Sequence, residues 1–238
     1  MVFYRRKKAP YKKRPYKRRS TVARRRPRTY IRKPLTVGFP KTMTVKMRYV
    51  QEISIDPVVN TVTTTQFLCN SIFDPWWTVG GHQPMGHDEY AALYSNYYVT
   101  ASKIWCRPNP KDTNAHIGGL WNIVRQDKPD TYAGFGWAQV LEQQSVNPYG
   151  FVPYAGSLQQ QGHAKPKRSS FNARRQYKVK DLLAYEDGGA IFGASPVQQP
   201  AWAIMTVPVN ANDAAAFTFE VIIEYTVLLT KPKIMSVS

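Results

Sequence analysis

Four histidines, two cysteines and a surplus of lysine and arginine carry the reactive chemistry of this 238-residue chain. His82 and His87 share a stretch with Asp88 and Glu89, the donor types that hold divalent metals. That stretch lacks the HExxH of a zinc hydrolase, and no CxxC stands anywhere in the chain. Gly80-Gly81-His82 and Gly86-His87 read instead as turn formers around a docking loop, so no metal is expected there. His116 and His163 are isolated. Cys69 and Cys106 are too far apart for a zinc ribbon, and too few for a disulfide-dense scaffold. Cys106 follows an apolar stretch and reads as a small buried hydrophobe rather than a nucleophile. Gly118-Gly119 and Gly188-Gly189 read as turns or bulges, because no GxxxxGK[ST] surrounds them. The P-C-x-x-C of a zinc deaminase is absent. Carboxylates are sparse and scattered, so no acid–base pair can be assembled. No catalytic residue, cofactor or metal is expected, and the chain does not read as an enzyme.

The cations are the stronger signal. The whole chain holds 33 Lys and Arg against 15 Asp and Glu, a formal charge of +18. Sixteen of them fall before residue 34: Arg5, Arg6, Lys7, Lys8, Lys12, Lys13, Arg14, Lys17, Arg18, Arg19, Arg24, Arg25, Arg26, Arg28, Arg32 and Lys33. The first carboxylate is Glu52, so the leader carries +16 and the remainder only +2. A self-repelling segment with little aliphatic content cannot offset its own ordering entropy, so residues 1–40 are expected to be a disordered basic arm. Pro10, Pro15, Pro27 and Pro34 block helix within it. Phe3, Tyr4, Tyr11, Tyr16 and Tyr30 are interleaved with the charges. Cations neutralise phosphates, and aromatic rings stack on unpaired bases, so the mixture suits single strands. No groove-reading helix pattern is present, and sequence specificity is not expected. Arg5–Lys8, Lys12–Arg14 and Arg24–Arg26 would also serve as nuclear-import signals read by host import receptors. A second basic run, Lys165, Lys167, Arg168, Arg174, Arg175, Lys178 and Lys180, reads either as a solvated face or as a further nucleic-acid contact. No run of about 18 apolar residues exists, so membrane insertion is not expected. No apolar segment follows the basic N-terminus as in a secretory signal, and a soluble intracellular compartment is expected, at least at first.

Strands must position these groups. Lys41–Ile55 alternates, with Met43, Val45, Met47, Tyr49, Ile53 and Ile55 on one face. Phe217–Leu229 repeats the pattern with Phe217, Phe219, Val221, Ile223, Tyr225, Val227 and Leu229. Between them Asn60–Cys69, Tyr97–Arg107, His116–Arg125, His163–Ala173, Ala190–Ser195 and Gln199–Val209 are strand candidates. Short helices are expected over Asp88–Ser95, Gly136–Gln144 and Lys180–Tyr185. Long loops cover 70–87, 126–135 and 145–162. An all-β, eight-stranded antiparallel jelly roll over residues 41–238 fits this count. A nine-stranded immunoglobulin-like sandwich is the competitor, although its Cys–Trp–Cys core is missing.

The most distinctive stretch is Asn70-Ser71-Ile72-Phe73-Asp74-Pro75, then Gly81-His82-Gln83-Pro84-Met85-Gly86-His87-Asp88-Glu89-Tyr90, then Leu93-Tyr94 and Tyr97-Tyr98-Val99. It resembles the capsid proteins of circovirus-like, circular Rep-encoding single-stranded DNA viruses, in which a basic arm precedes a jelly roll. The motif lies here between Asn60–Cys69 and Tyr97–Arg107. Some circovirus arms are nearly pure arginine, whereas this one mixes Lys, Pro and Tyr. The resemblance implies a small icosahedral (T=1) shell of sixty copies around circular single-stranded DNA, found in the virion and the host nucleus. Sixty arms would bring about 960 positive charges, offsetting on the order of a thousand phosphates. A near-neutral body would let copies pack edge to edge. Phe73, Trp76, Trp77, Met85, Tyr90, Leu93 and Tyr94 are then either subunit contacts or intrachain packing beneath a long loop. No residue pattern identifies a cell-surface attachment factor. The reading from a different class is a monomeric cellular nucleic-acid-binding module with a basic tail.

Overall fold

The computed structural model describes residues 39–58, 61–78, 81–110, 119–130, 135–136, 138–139, 142, 150–152, 166–208 and 216–234. The sixteen arm cations, Lys165, His116, His163 and most of the helix expected over Gly136–Gln144 lie outside them.

Alternation dictates the first and last strands of the body. In β1 (Thr42–Ile55), Met47, Tyr49, Ile53 and Ile55 are buried while Lys46, Arg48 and Glu52 face out. In β9 (Phe217–Pro232), every second residue from Phe217 to Leu229 is buried. The two pair antiparallel along the whole of β1, from Thr42 opposite Thr230 to Ile55 opposite Phe217. The remaining pairs nest inside this one. β2 (Thr63–Leu68) pairs with β8 (Ala201–Pro208), β3 (Tyr94–Pro110) with β6 (Lys167–Asn172), and β4 (Gly119–Gln126) with β5 (Gly150–Val152). First strand meets last and inner strands meet inner, as when one long antiparallel ribbon is folded and wrapped. The sheets that result are β1-β9-β3-β6 and β2-β8-β4-β5. This is the jelly roll, and it displaces the immunoglobulin-like alternative. A short ninth strand, β7 (Gly189–Ile191), adds to β3 opposite Asn96–Tyr98.

The core lies between the sheets. Trp121, Trp202, Tyr49, Tyr97, Tyr225, Phe67, Phe171, Phe217 and Phe219 are its largest members. Each large apolar side chain removed from water contributes about 1.5–3 kcal/mol. Tyr225 donates its hydroxyl to the Leu68 carbonyl at 2.9 Å, a polar tie from one sheet to the other. Cys69 and Cys106 are buried and free, and burial pushes both thiols up.

Several expected elements are displaced. β3 continues through Pro108 and Pro110, beyond the Arg107 end expected for that strand. The two prolines are two residues apart, so their missing donors point one way, and β6 covers β3 only from Ala101 to Cys106. β5 falls in the stretch expected to be a loop. The strand expected over His163–Ala173 ends at Asn172, where α2 (Ala173–Tyr177) begins. Asn172 Oδ1 accepts from the Arg175 amide at 3.1 Å and caps that helix. The helix expected over Lys180–Tyr185 is a set of turns, because Asp181 Oδ1 accepts the Leu183 amide at 3.0 Å. The strand expected over Ala190–Ser195 shrinks to β7 and gives way to a turn at Gly193, with φ 91°. α1 (His87–Leu93) starts one residue early and stops two early. Gly119 and Gly189 are strand starts rather than turns. A Cβ on Gly119 would meet the Phe217 ring at 2.6 Å, and one on Gly189 would meet Tyr98.

Candidate subunit and nucleic-acid interfaces

The distinctive segment joins β2 to β3, and Asn70, Ser71 and Thr78 fasten the loop to the body. Asn70 and Ser71 are fully buried. The Asn70 amide donates to the Gln198 carbonyl at 2.7 Å and to the Tyr177 hydroxyl at 3.0 Å. Ser71 Oγ lies 2.9 Å from Ser195 Oγ and accepts the Asp74 amide at 3.2 Å. Residues 75–78 then run along the outer side of β2. The Leu68 amide donates to the Pro75 carbonyl at 2.8 Å, the Trp77 amide to the Gln66 carbonyl at 3.1 Å, and the Gln66 amide to Thr78 Oγ1 at 2.9 Å. Trp76 stacks on Phe67, with ring centroids 6.0 Å apart, and donates its indole N–H to Thr65 Oγ1 at 2.9 Å.

The two loop histidines go to different places. His82 stacks on Tyr49, centroids 4.6 Å apart, beside Gly81, where a Cβ would stand 2.8 Å from the Tyr49 hydroxyl. Burial pushes that phenol up to about 12. His87 is buried at the start of α1, edge-on to Phe192 at 5.2 Å, with Nδ1 2.9 Å from Asp88 Oδ1. Among the described residues no group of three metal-ligating side chains converges.

The seven proposed contact residues divide by environment. Tyr94 is fully buried and gives its hydroxyl to the Pro40 carbonyl at 3.1 Å, so its ring belongs to the interior and not to an outer contact surface. Trp76, Tyr90 and Leu93 are half-buried and lean on the core. Phe73 and Trp77 are half-buried, and Phe73 tilts against His87 at 6.4 Å. Met85 alone of the seven stands in solvent, 91 % exposed.

The second basic run is split by the pleat. Lys167 turns inward, donating to Asn122 Oδ1 at 2.9 Å and lying 5.2 Å from the centroid of the Trp121 ring. Removal from water disfavours its charged form and lowers its pKa from 10.5 to about 8. Arg168 faces the opposite way, on the outer side of the first sheet, and Arg174, Arg175, Lys178 and Lys180 are exposed on or after α2. The run therefore contains one structural cation and five solvent-facing ones among its described members.

Comparison with protein-family models finds no match, and neither does comparison with curated proteins. Solved structures do resemble the chain. Tobacco necrosis virus matches at 11 % identity over 81 % of this chain and 97 % of that one, with a TM-score of 0.48. Desmodium yellow mottle tymovirus matches at 13 % identity over 85 % and 94 %, with a TM-score of 0.43. The decameric BFDV capsid protein matches at 9 % identity over 80 % and 99 %, also with a TM-score of 0.43. The jelly roll itself is read from the strand order.

Sequence reasoning passed over the outer face of the first sheet. Lys46 and Arg48 of β1 share Glu224 of β9, at 3.4 and 3.6 Å. Arg107 of β3 pairs with Glu220 of β9 at 2.6 Å. Lys103 and Arg168 stand on the same face, with Trp105 opposite Arg168 and two residues from Lys103. The signal was present in β3, where Lys103, Trp105 and Arg107 alternate with the buried Ile104 and Cys106.

Proposed function

We propose that this chain is a viral capsid protein that self-assembles into a small icosahedral shell and packages circular single-stranded DNA through its basic arm. The observation that carries the reading is the division of charge: +16 within residues 1–33 and +2 over the rest. A polycation of that density neutralises phosphates and releases their counterions. A jelly roll near neutrality can meet further copies of itself without a large repulsive field. The likeness of the Asn70–Tyr98 segment to circovirus-like capsid proteins points the same way. On this reading residues 1–40 are the genome-binding and nuclear-import arm, and residues 41–238 form the shell. The partners are the genome, further copies of the chain (sixty in a closed T=1 shell) and host import receptors. The working places are the virion and the host nucleus. The role is structural rather than catalytic.

Negative-stain micrographs and sedimentation of the purified full chain with circular single-stranded DNA test this. Closed particles of megadalton mass are expected. A persistent monomer in every buffer, with or without DNA, would sink the shell in favour of a monomeric binding module. Deleting residues 1–33 should leave a folded body whose affinity for single strands at moderate salt falls by about 100-fold or more. Undiminished affinity in that truncation would refute the role given to the arm.

A further inference from the structure

The outer face of the β1-β9-β3-β6 sheet carries a feature that neither the arm nor the loop motif explains. Trp105 sits on β3 opposite Ile222 of β9 on one side and Arg168 of β6 on the other. Its ring is half-buried, and it makes no aromatic or cation–π contact with any described residue. Two hollows flank it. One, of about 450 Å³, is lined by Arg48, Arg107, Pro166, Glu220 and Ile222 together with Trp105 and Cys106. The other, of about 300 Å³, is lined by Lys103, Trp105, Arg168, Ser169 and Ser170 with Ile104.

The charges around the two hollows differ. In the first, Arg107 is neutralised by Glu220, and Arg48 reaches Glu224. In the second, Lys103 and Arg168 have no ion-pair partner among the described residues. Ser169 is occupied, since its Oγ accepts the Trp202 indole N–H at 3.0 Å. Arg125 reaches the same edge from the other sheet, donating to the Ser170 carbonyl at 3.4 Å. The second hollow thus joins an unstacked indole to two cations that make no ion pair among the described residues, Lys103 standing across the register from a Glu224 that Lys46 and Arg48 already engage.

We propose that this hollow is a nucleotide seat for single-stranded nucleic acid. One base stacks on Trp105, and Lys103 and Arg168 hold the phosphates on either side of it. The proposal rests on the packaging role argued above and adds to it a contact on the folded body, independent of the arm. The chemistry selects the occupant. Two unpaired cations call for anions, and a flat apolar ring between them calls for an exposed π-face, which a single strand provides and a duplex conceals. The volume is that of a small-ligand pocket. Binding there is indifferent to sequence, because every base has a stacking face.

The test uses the full-length protein with its arm intact. Affinity for fluorescent oligothymidylate is measured as a function of salt for the wild type, Trp105→Leu, Trp105→Phe, and the double variant Lys103→Ser with Arg168→Ser. Loss of one stacked base should weaken Trp105→Leu by about tenfold, and Trp105→Phe should recover most of that. The double variant should lower the log–log salt slope by about 1.4, the single-strand value for two phosphates. Duplex DNA of equal length should bind Trp105→Leu and wild type alike. Photocrosslinking with iododeoxyuridine in the oligonucleotide should label Trp105 itself, a readout that does not depend on any variant folding. Equal single-strand affinity for Trp105→Leu, or crosslinks confined to residues 1–33, would overturn the seat and leave the packaging role standing. An effect of Trp105→Leu on particle sedimentation alone would assign the face to a second copy instead. Failure of the wild type to bind DNA at all would remove both.

Discussion

Two tryptophans bracket β6 from opposite sides, and each has a cation of that strand for company. Trp121 is inside, 1 % exposed, with the Lys167 ammonium 5.2 Å from its ring centroid. Trp105 is outside, half-buried, with Arg168 directly across the register. Lys167 and Arg168 are sequence neighbours, so one step along a pleated strand separates the two environments. Inside, the lysine is hydrogen-bonded, partly desolvated and tied to the second sheet through Asn122. Outside, the arginine has no partner of opposite charge among the described residues. A basic run in a sequence is therefore not one surface. The pleat sorts it into groups that hold the sandwich together and groups left over for a ligand.

The comparison predicts unequal responses to similar substitutions. Trp121→Ala should cost about 3–5 kcal/mol in chemical denaturation, the price of an indole-sized cavity against Phe219. Loss of less than about 1 kcal/mol would mean that Trp121 is not the buried member of the pair. Next in size is a pH effect at Lys167. Its pKa is depressed in the folded protein, so between pH 8 and 10.5 the unfolded chain binds a proton that the native one has released. Stability should therefore rise with pH through that window, and Lys167→Met should remove that part of the rise. Parallel curves for the two proteins would place the ammonium in solvent. Trp105→Leu should shift the denaturation midpoint little, by less than about 1 kcal/mol, while changing oligothymidylate binding. The smallest effect is expected of Glu224→Gln, which breaks two exposed ion pairs to Lys46 and Arg48 and should cost about 0.5 kcal/mol or less at moderate salt.

The strands that cover one face of the core were plain in the sequence, because β1 and β9 bury one side each and their periodicity survives end to end. β8 is buried at every position and so has no alternation. What marks it in the sequence is a short apolar run, Ala201 to Val207, after Pro200. β5 is three residues long and sits among glycines and prolines, where no pattern can develop. The prolines of β3 were misleading because a missing donor is costly only where a neighbouring strand would accept it. The capping signal for α2 was present at Asn172, but a five-residue helix produces no period to set against the preceding strand. The loop motif stood out as unusual, yet its physical work was not legible. That Asn70 would reach Tyr177 and Gln198 is a matter of long-range packing, which spacing does not encode. For Tyr94 both environments stood open for a related reason: aromatic residues in a long loop look alike whether they point to a neighbour or to Pro40.

The run of residues 75–78 along β2 has a consequence for crowding. An uncovered strand margin will accept any other strand at high local concentration, and the contact then spreads without limit into fibre or precipitate. With Pro75, Trp77 and Thr78 already occupying the Leu68 and Gln66 positions, that route is closed on this side. Neighbouring molecules pressed together there must meet through side chains, by contacts that end where the surface ends and can be undone.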